Sequence, residues 1–184
     1  MVAVPRRALG VPFVALGVFC LAQPFLLRSA GVEVTTPTLA DPASLVGLTA
    51  PAFVAAGAIL LVSGAAAVLG RVLAPRWSLS VPFVCVTVGT VFGFGVPPDV
   101  PVTTTVVTGS TPFVVGGALV GGALAPVVLG SLKGDTMALL AGVVVVLAAV
   151  ATAPAPVFAA IAGLLGGGVA VALSWALDGE TWRP

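Results

Sequence analysis

The amino-acid sequence predicts an all-α integral membrane protein, a bundle of six transmembrane helices arranged as three helical hairpins. Three observations lead to this fold class. Only 13 of the 184 residues are charged (7 Lys and Arg plus 6 Asp and Glu). Hydrophobic residues make up 59% of the chain, and the mean hydropathy is +1.25. The charges lie outside six apolar stretches, each close to the length that crosses a hydrocarbon core of roughly 30 Å.

This composition excludes the other broad classes of protein. A soluble fold of this size cannot hide so much apolar surface, because a large share of its residues must contact water. A disordered chain would be rich in charge and poor in Val, Leu and Phe. We therefore treat residues 1–184 as a single transmembrane domain.

The first predicted span begins after two arginines and ends before a third. Its flanking residues, Arg6, Arg7 and Arg28, leave the uncharged stretch 8–27 between them. A secretory signal peptide is the alternative, but its apolar region is usually about 7–15 residues long and precedes a small-residue cleavage site. The stretch here is longer and no such site follows, so we expect an uncleaved helix. The other five spans are predicted at 45–70, 79–97, 111–132, 136–153 and 157–177.

The last two spans form one uncharged stretch of 42 residues, 136–177. As a continuous helix it would be about 63 Å long, roughly twice the bilayer thickness. Pro154 and Pro156 indicate where it turns, because proline disfavours helix at and before its own position. A re-entrant pair of short helices is the alternative to two full crossings. Asp135 precedes the fifth span and is expected to cap its N-terminus.

The basic residues predict the orientation of the bundle. With six spans, one side carries Arg6, Arg7, Arg71, Arg76, Lys133 and Arg183, whereas the other side carries Arg28. Short cytoplasmic loops are enriched in Lys and Arg, so both termini are predicted to lie in the cytoplasm, with the protein in the cell (plasma) membrane. The three tryptophans fall at the same boundary, where indole rings favour the headgroup layer: Trp77, Trp175 and Trp182.

Similar tetrapeptides open three of the spans: Val-Pro-Phe-Val at 11–14 and 81–84, and Thr-Pro-Phe-Val at 111–114. They fit a duplicated hairpin, 8–70 and 79–132, repeated in one orientation, as in other membrane proteins with parallel repeats. Chance is the alternative, because few residue types make up this chain. The outer loops, 28–44 and 98–110, alternate Val with polar residues and are expected to contain short extended segments.

The residue types that are missing exclude most catalytic chemistry. The chain contains no His, Tyr or Asn, which removes imidazole catalysis and His-ligated metals or haem. No charged residue lies within a span, although intramembrane charges usually mark functional sites. A net charge of +1 without a basic cluster argues against nucleic-acid binding. We therefore expect no enzymatic activity, no catalytic residues, no metal and no cofactor. Two cysteines, Cys20 and Cys85, are too few for a disulfide framework.

Glycines at four-residue spacing are the main candidate packing residues. They form three pairs, Gly89 with Gly93, Gly117 with Gly121, and Gly163 with Gly167. Such pairs let two helix backbones approach closely in a membrane. Three interpretations stay open: packing within the chain, a face for a partner subunit, or flexible helices that gate a pathway.

Polar side chains within the spans are few. Gln23, Thr87 and Thr90 are candidates for a polar path, although helical hydroxyls commonly bond back to the preceding turn of their own helix. These features predict a non-catalytic membrane subunit that packs against a larger membrane complex or against itself as a small homo-oligomer. The alternative is a small transporter or channel for a neutral solute or an ion. The lipid bilayer is the one partner that composition alone predicts.

Overall fold

The computed structural model describes residues 6–30, 34, 36–94 and 111–177. These residues form eight α-helices and one 3₁₀ helix, Pro42–Leu48, that leads into the second α-helix. The α-helices are α1 (Arg6–Ser29), α2 (Thr49–Val68), α3 (Pro75–Ser78), α4 (Ser80–Phe94), α5 (Thr111–Gly122), α6 (Leu124–Lys133), α7 (Thr136–Thr152) and α8 (Pro156–Leu177).

Four stretches of helix are long and apolar enough to cross a membrane: Arg7–Leu27, Ser44–Val68, Thr111–Lys133 and Pro156–Trp175. They confirm that the described residues form a helical protein of membrane-protein character. Helix α7 is apolar but shorter, at 17 residues. Helix α4 has 15 residues up to Phe94, where this part of the described chain stops. The count of six crossings therefore stays a prediction.

Helices α1 and α2 form an antiparallel hairpin whose contact is made by glycines seven residues apart. Gly10 lies against Gly64, and Gly17 lies against Gly57. A Cβ atom added at Gly17 would lie 2.7 Å from the backbone nitrogen of Leu61, closer than real side chains approach. The spacing of seven keeps both glycines of each helix on one face, so the two backbones touch along two turns.

The centre of the bundle consists of three parallel helices, α2, α5 and α8. Gly117 and Gly121 of α5 contact Pro51 and Ala55 of α2 in the same order along both helices, so the two helices are parallel. The same two glycines also contact α8 in parallel order, with Gly121 between Gly163 and Gly167. Because these residues lack bulky side chains, the three backbones pack against each other and leave no room between them.

Helices α4 and α7 run antiparallel to this centre. Gly89 of α4 lies against Val115, and Cys85 lies against Gly122. Helix α7 returns beside α6 and α5, with Leu139 against Gly130 and Ala153 against Gly116. Helix α7 therefore extends along almost the whole of α5 and α6.

The break between α5 and α6 has a local cause in proline. Pro126 has no N–H to bond the carbonyl oxygen of Gly122, four residues earlier, so the helix is interrupted at Ala123. The neighbouring bonds survive, since the N–H groups of Ala123 and Val127 still donate to Leu119 and Ala123. Pro24, by contrast, lies within α1, which continues to Ser29.

One end of the bundle, which we call the basic end, gathers Arg7, Arg71, Arg76 and Lys133. Arg7 lies beside Gly70, the residue after the last turn of α2, and Arg76 is paired with Asp135. Helices α2 and α8, and α6 as the continuation of α5, point their C-terminal carbonyl groups towards this end. Cations are favoured there because the helix dipole is negative at the C-terminus.

The structure describes only part of the outer loops that the sequence analysis considered. The segments 31–33 and 98–110, which include most of the expected extended segments, lie outside the described residues, as does 178–184 with Arg183 and Trp182. Thr38 and Asp41 form an isolated antiparallel bridge, and the hydroxyl of Ser44 donates to both of their carbonyl groups. Within the repeated tetrapeptides, Phe13 is 5% exposed but Phe83 is 74% exposed. The duplication stays a prediction.

Candidate functional site

The structure places five of the six candidate packing glycines at contacts between helices of this chain. Gly89 contacts Val115, while Gly117, Gly121, Gly163 and Gly167 belong to the contacts of the three central helices. Gly93 lies on α4, and the surroundings of that glycine are outside the described side chains. The faces that carry Gly117 with Gly121 and Gly163 with Gly167 are thus occupied within the chain.

The sequence did not single out several glycines that matter as much. The α1–α2 contact uses Gly10, Gly17, Gly57 and Gly64, whose signal is a spacing of seven rather than four. Gly166 was visible as part of a glycine run, and a Cβ atom there would meet the backbone of Ala52. Spacing alone did not indicate which helix each of these glycines contacts.

The three candidate polar-path residues do not share one hydrogen-bonded arrangement. The hydroxyl of Thr87 donates to the Phe83 carbonyl at 2.9 Å, and that of Thr90 donates to the Val86 carbonyl at 2.8 Å. Both hydroxyls are therefore used within α4, on the outer part of the bundle. Gln23 lies on α1 with its Oε1 atom buried, and among the described residues no donor reaches that atom. The buried Oγ atoms of Ser63 and Ser174 likewise have no hydrogen-bond partner among the described residues.

At the turn between α6 and α7, Asp135 both caps a helix and forms an ion pair with Arg76. Gly134 has a φ of 68°, and the N–H of Asp135 donates to the Gly130 carbonyl, which closes α6. Asp135 then caps α7 by accepting from the backbone N–H of Ala138 at 3.2 Å, as expected from the sequence. This hydrogen bond holds the pKa of the Asp135 carboxyl below its ordinary value. Arg76, with its Nε 3.3 Å from Oδ2, acts in the same direction, against a contribution from desolvation.

A cavity of about 310 Å³ opens at the basic end, and we call it the basic-end cleft. One wall is the last two turns of α2, and the other is the segment from Arg71 into the start of α4. Its lining residues are Val62, Ala65, Ala66, Leu69, Arg71, Val72, Leu73, Ala74, Trp77 and Ser80. The walls are apolar, and a guanidinium and an indole lie among the lining groups.

The cleft exists because α2 ends in a sharply turned cap. Gly70 has a φ of 67°, a conformation that suits glycine, and the N–H of Arg71 donates to the carbonyl of Ala66 at 2.9 Å. The chain then leaves α2 sideways and returns through α3, so that Leu73 is buried while Trp77 stays 69% exposed. Arg7 lies beside the same turn, with its Nε 3.2 Å from where a Cβ of Gly70 would be.

A second concave surface, the α4–α7 groove, has a volume of about 460 Å³ and lies on the outside of the bundle. Leu119 of α5 is at its centre, and α4 and α7 form its sides. Its remaining lining residues are Leu79, Pro82, Phe83, Val86, Val145, Ala148, Ala149 and Thr152. The groove is apolar and open, as expected for a surface that contacts lipid or another helix.

No protein-family model, curated protein or solved structure matches this chain. Function therefore has to be argued from the site geometry alone.

Proposed function

We propose that the protein is a non-catalytic subunit of a larger membrane complex, which binds a transmembrane helix of its partner in the α4–α7 groove. The groove is the observation that carries this proposal. Helices α4 and α7 form its sides. Both pack on α5 but stay apart from each other, so Leu119 lies at the base of the groove. Helices pack in membranes by fitting side chains and small residues together, and Ala148 and Ala149 offer a close approach there.

The distribution of polar groups also supports a structural role. Among the described residues, charged side chains lie at the ends of the bundle. The hydroxyls of Thr87, Thr90 and Ser131 are bonded to carbonyl groups of their own helices. General acid–base chemistry needs titratable groups held together in a cleft, and the described residues offer the Asp135–Arg76 pair, an exposed ion pair.

A transporter or channel for a small solute is the second class, and the close contact of the central helices argues against it. A pathway between α2, α5 and α8 would have to open the contacts where glycine and alanine bring the backbones together. A Cβ atom on Gly121 would lie 2.5 Å from both Ala55 Cβ and the Gly163 carbonyl oxygen. Opening a path there would separate helices over several turns.

We further propose six membrane crossings with both termini in the cytoplasm of a plasma-membrane protein. The alternating directions of α1, α2, α4, α5–α6, α7 and α8 support this topology, with each helix counted as one crossing. The length of α7 beside α5 and α6 favours two full crossings over a re-entrant pair. The basic residues at one end favour the cytoplasmic side for that end.

Extraction of the tagged protein from its native membrane in a mild detergent, followed by mass spectrometry, tests the subunit proposal. We expect one larger membrane protein to accompany the wild-type chain in a fixed ratio. Ala148→Trp fills the groove and should release that partner. Leu147→Trp is the matched control, because Leu147 immediately precedes Ala148 on α7, is 64% exposed and does not line the groove.

Retention of the partner by the Ala148→Trp variant would contradict the groove as the binding surface. Recovery of the chain alone would contradict the subunit proposal, and a self-associated form lost only in Ala148→Trp would assign the groove to a second copy. The topology has its own test. A reporter that is active only in the cytoplasm, fused after Pro184, should be active, and activity of an outside-only reporter there would require an odd number of crossings.

A further inference from the structure

We propose that the basic-end cleft binds one anionic phospholipid, with an acyl chain between α2 and the start of α4 and the headgroup phosphate on Arg71. This inference concerns a ligand at a different surface from the α4–α7 groove, and it does not depend on the protein being a subunit. It follows from the shape of the cleft, the charges at its mouth and the position of Trp77.

The apolar lining of the cleft suits an acyl chain better than a compact polar solute. Its volume of about 310 Å³ is at the lower end of the range of small-molecule sites, roughly 300–1,000 Å³. Val62, Ala66 and Leu69 form an apolar wall on α2, and Leu73 closes the opposite side. An acyl chain from the bilayer would fill this space with van der Waals contacts to the apolar walls, as one helix packs against another in a membrane.

The cations at the mouth select a negative headgroup. Arg71 lines the cleft, and Arg7 lies beside the Gly70 turn immediately before it. A guanidinium presents several N–H donors in one plane and binds phosphate oxygens through two of them at once. Arg76, in contrast, is paired with Asp135 and does not line the cleft. The charge offered to a ligand is therefore concentrated at Arg71 and Arg7.

Trp77 places the mouth of the cleft at headgroup depth. Its indole is 69% exposed at the rim, and tryptophan is enriched where the hydrocarbon meets the polar headgroups. Trp175, near the end of α8, is also exposed and has the same preference. A lipid whose phosphate contacts Arg71 would thus keep its headgroup in the interfacial layer while one chain enters the cleft.

Fluorescence quenching by brominated lipids tests the proposal, because Trp77 itself is the reporter. The protein with Trp175→Phe and Trp182→Phe is placed in phosphatidylcholine vesicles that contain a small fraction of brominated phosphatidylglycerol or brominated phosphatidylcholine. Basic residues at a membrane surface favour anionic lipids by about fivefold each. We expect the anionic lipid to quench Trp77 at a mole fraction about fivefold lower than the zwitterionic lipid. Arg71→Ala should bring the two curves together, and Arg71→Lys should restore part of the difference.

Two controls separate a built site from surface charge. Arg76→Ala removes one positive charge near the cleft, and the anionic preference should survive it. Ala66→Leu keeps both arginines but fills the cleft, and it should reduce quenching by either lipid. Equal quenching by both lipids in the wild-type background, or loss of the preference in Arg76→Ala to the same degree as in Arg71→Ala, would overturn the proposal.

A competition experiment distinguishes binding of a phospholipid from binding of a phosphate compound without acyl chains. Glycerol phosphate, which carries the headgroup without chains, should not displace the brominated lipid at constant ionic strength. Displacement would overturn the role of the acyl chain. As a readout that does not depend on the position of Trp77, native mass spectrometry should find one phosphatidylglycerol retained by the wild-type protein and lost from Arg71→Ala. Retention by that variant would contradict the assignment of Arg71.

Discussion

The three consecutive glycines of α8 allow a sharp test of the central helix contacts. Gly166 and Gly167 face the backbones of Ala52 and Gly121, whereas nothing lies within 4 Å of the place where a Cβ of Gly168 would be. Substitution of each glycine in turn by alanine therefore adds the same methyl group to the same helix. The three variants differ in what that methyl group meets.

The expected loss of stability in Gly167→Ala follows from the distances between the new Cβ atom and Gly121. The new Cβ would lie 2.7 Å from the Cα of Gly121, and closer still to its carbonyl oxygen. Carbon atoms in contact prefer about 3.5–4.0 Å, so α8 and α5 must separate by about 1 Å. Overpacking of this kind costs about 1–3 kcal/mol, whereas Gly168→Ala should be neutral or stabilise the helix by up to about 1 kcal/mol. For a chain of this size, each 1 kcal/mol changes the melting temperature by about 2–4 °C.

The protein supplies its own assay, because both cysteines are free and buried. A dye that fluoresces on reacting with thiols reports unfolding in detergent as Cys20 and Cys85 become accessible. We expect Gly167→Ala and Gly166→Ala to melt about 2–12 °C below the wild-type protein. Gly168→Ala should melt at or above the wild-type temperature. Equal melting of Gly167→Ala and Gly168→Ala would refute the close contact of α5 with α8.

Three further predictions concern the hairpins. Gly64→Ala should lower the melting temperature by an amount similar to Gly167→Ala, since the new Cβ would lie 2.7 Å from the backbone nitrogen of Val14. Gly134→Ala meets no atom within 4 Å but needs a φ of 68°, so it should cost about 1–2 kcal/mol in the same assay, and Gly134→Asn should cost less. Asp135→Asn should lower the stability at pH 7 in thermal melts. The wild-type advantage should be complete above about pH 4 and should be lost as the pH falls through the lowered folded-state pKa, because the carboxylate stabilises the fold only while it stays ionised. An advantage that stays constant as the pH is lowered from 7 through the acid range would contradict the role of that charge.

The sequence predicted the helices well because charges and prolines delimit them. The expected span 111–132 matches α5 and α6 together, and 136–153 matches α7 within one residue. The contacts could not be predicted, since helices that are apolar all round have no hydrophobic face to read. Gly117 signalled a close approach, but only the structure showed that Pro51 is its neighbour. The basic-end cleft also lacked a sequence signal, because it depends on the direction in which the chain leaves Gly70.

The order in which the central helices are synthesised has a consequence for biogenesis. A nascent chain emerges N-terminus first, so the α1–α2 hairpin can close early through contacts between neighbouring segments. Gly163 and Gly167 belong to α8, which is synthesised after α2 and α5. Until then, the α5 face that carries Gly121 has its contact with Ala55 of α2 but lacks its contact with α8. A chain truncated before Pro156 would therefore keep an early hairpin but expose an incomplete centre to membrane proteases, and its cellular half-life should depend on α8.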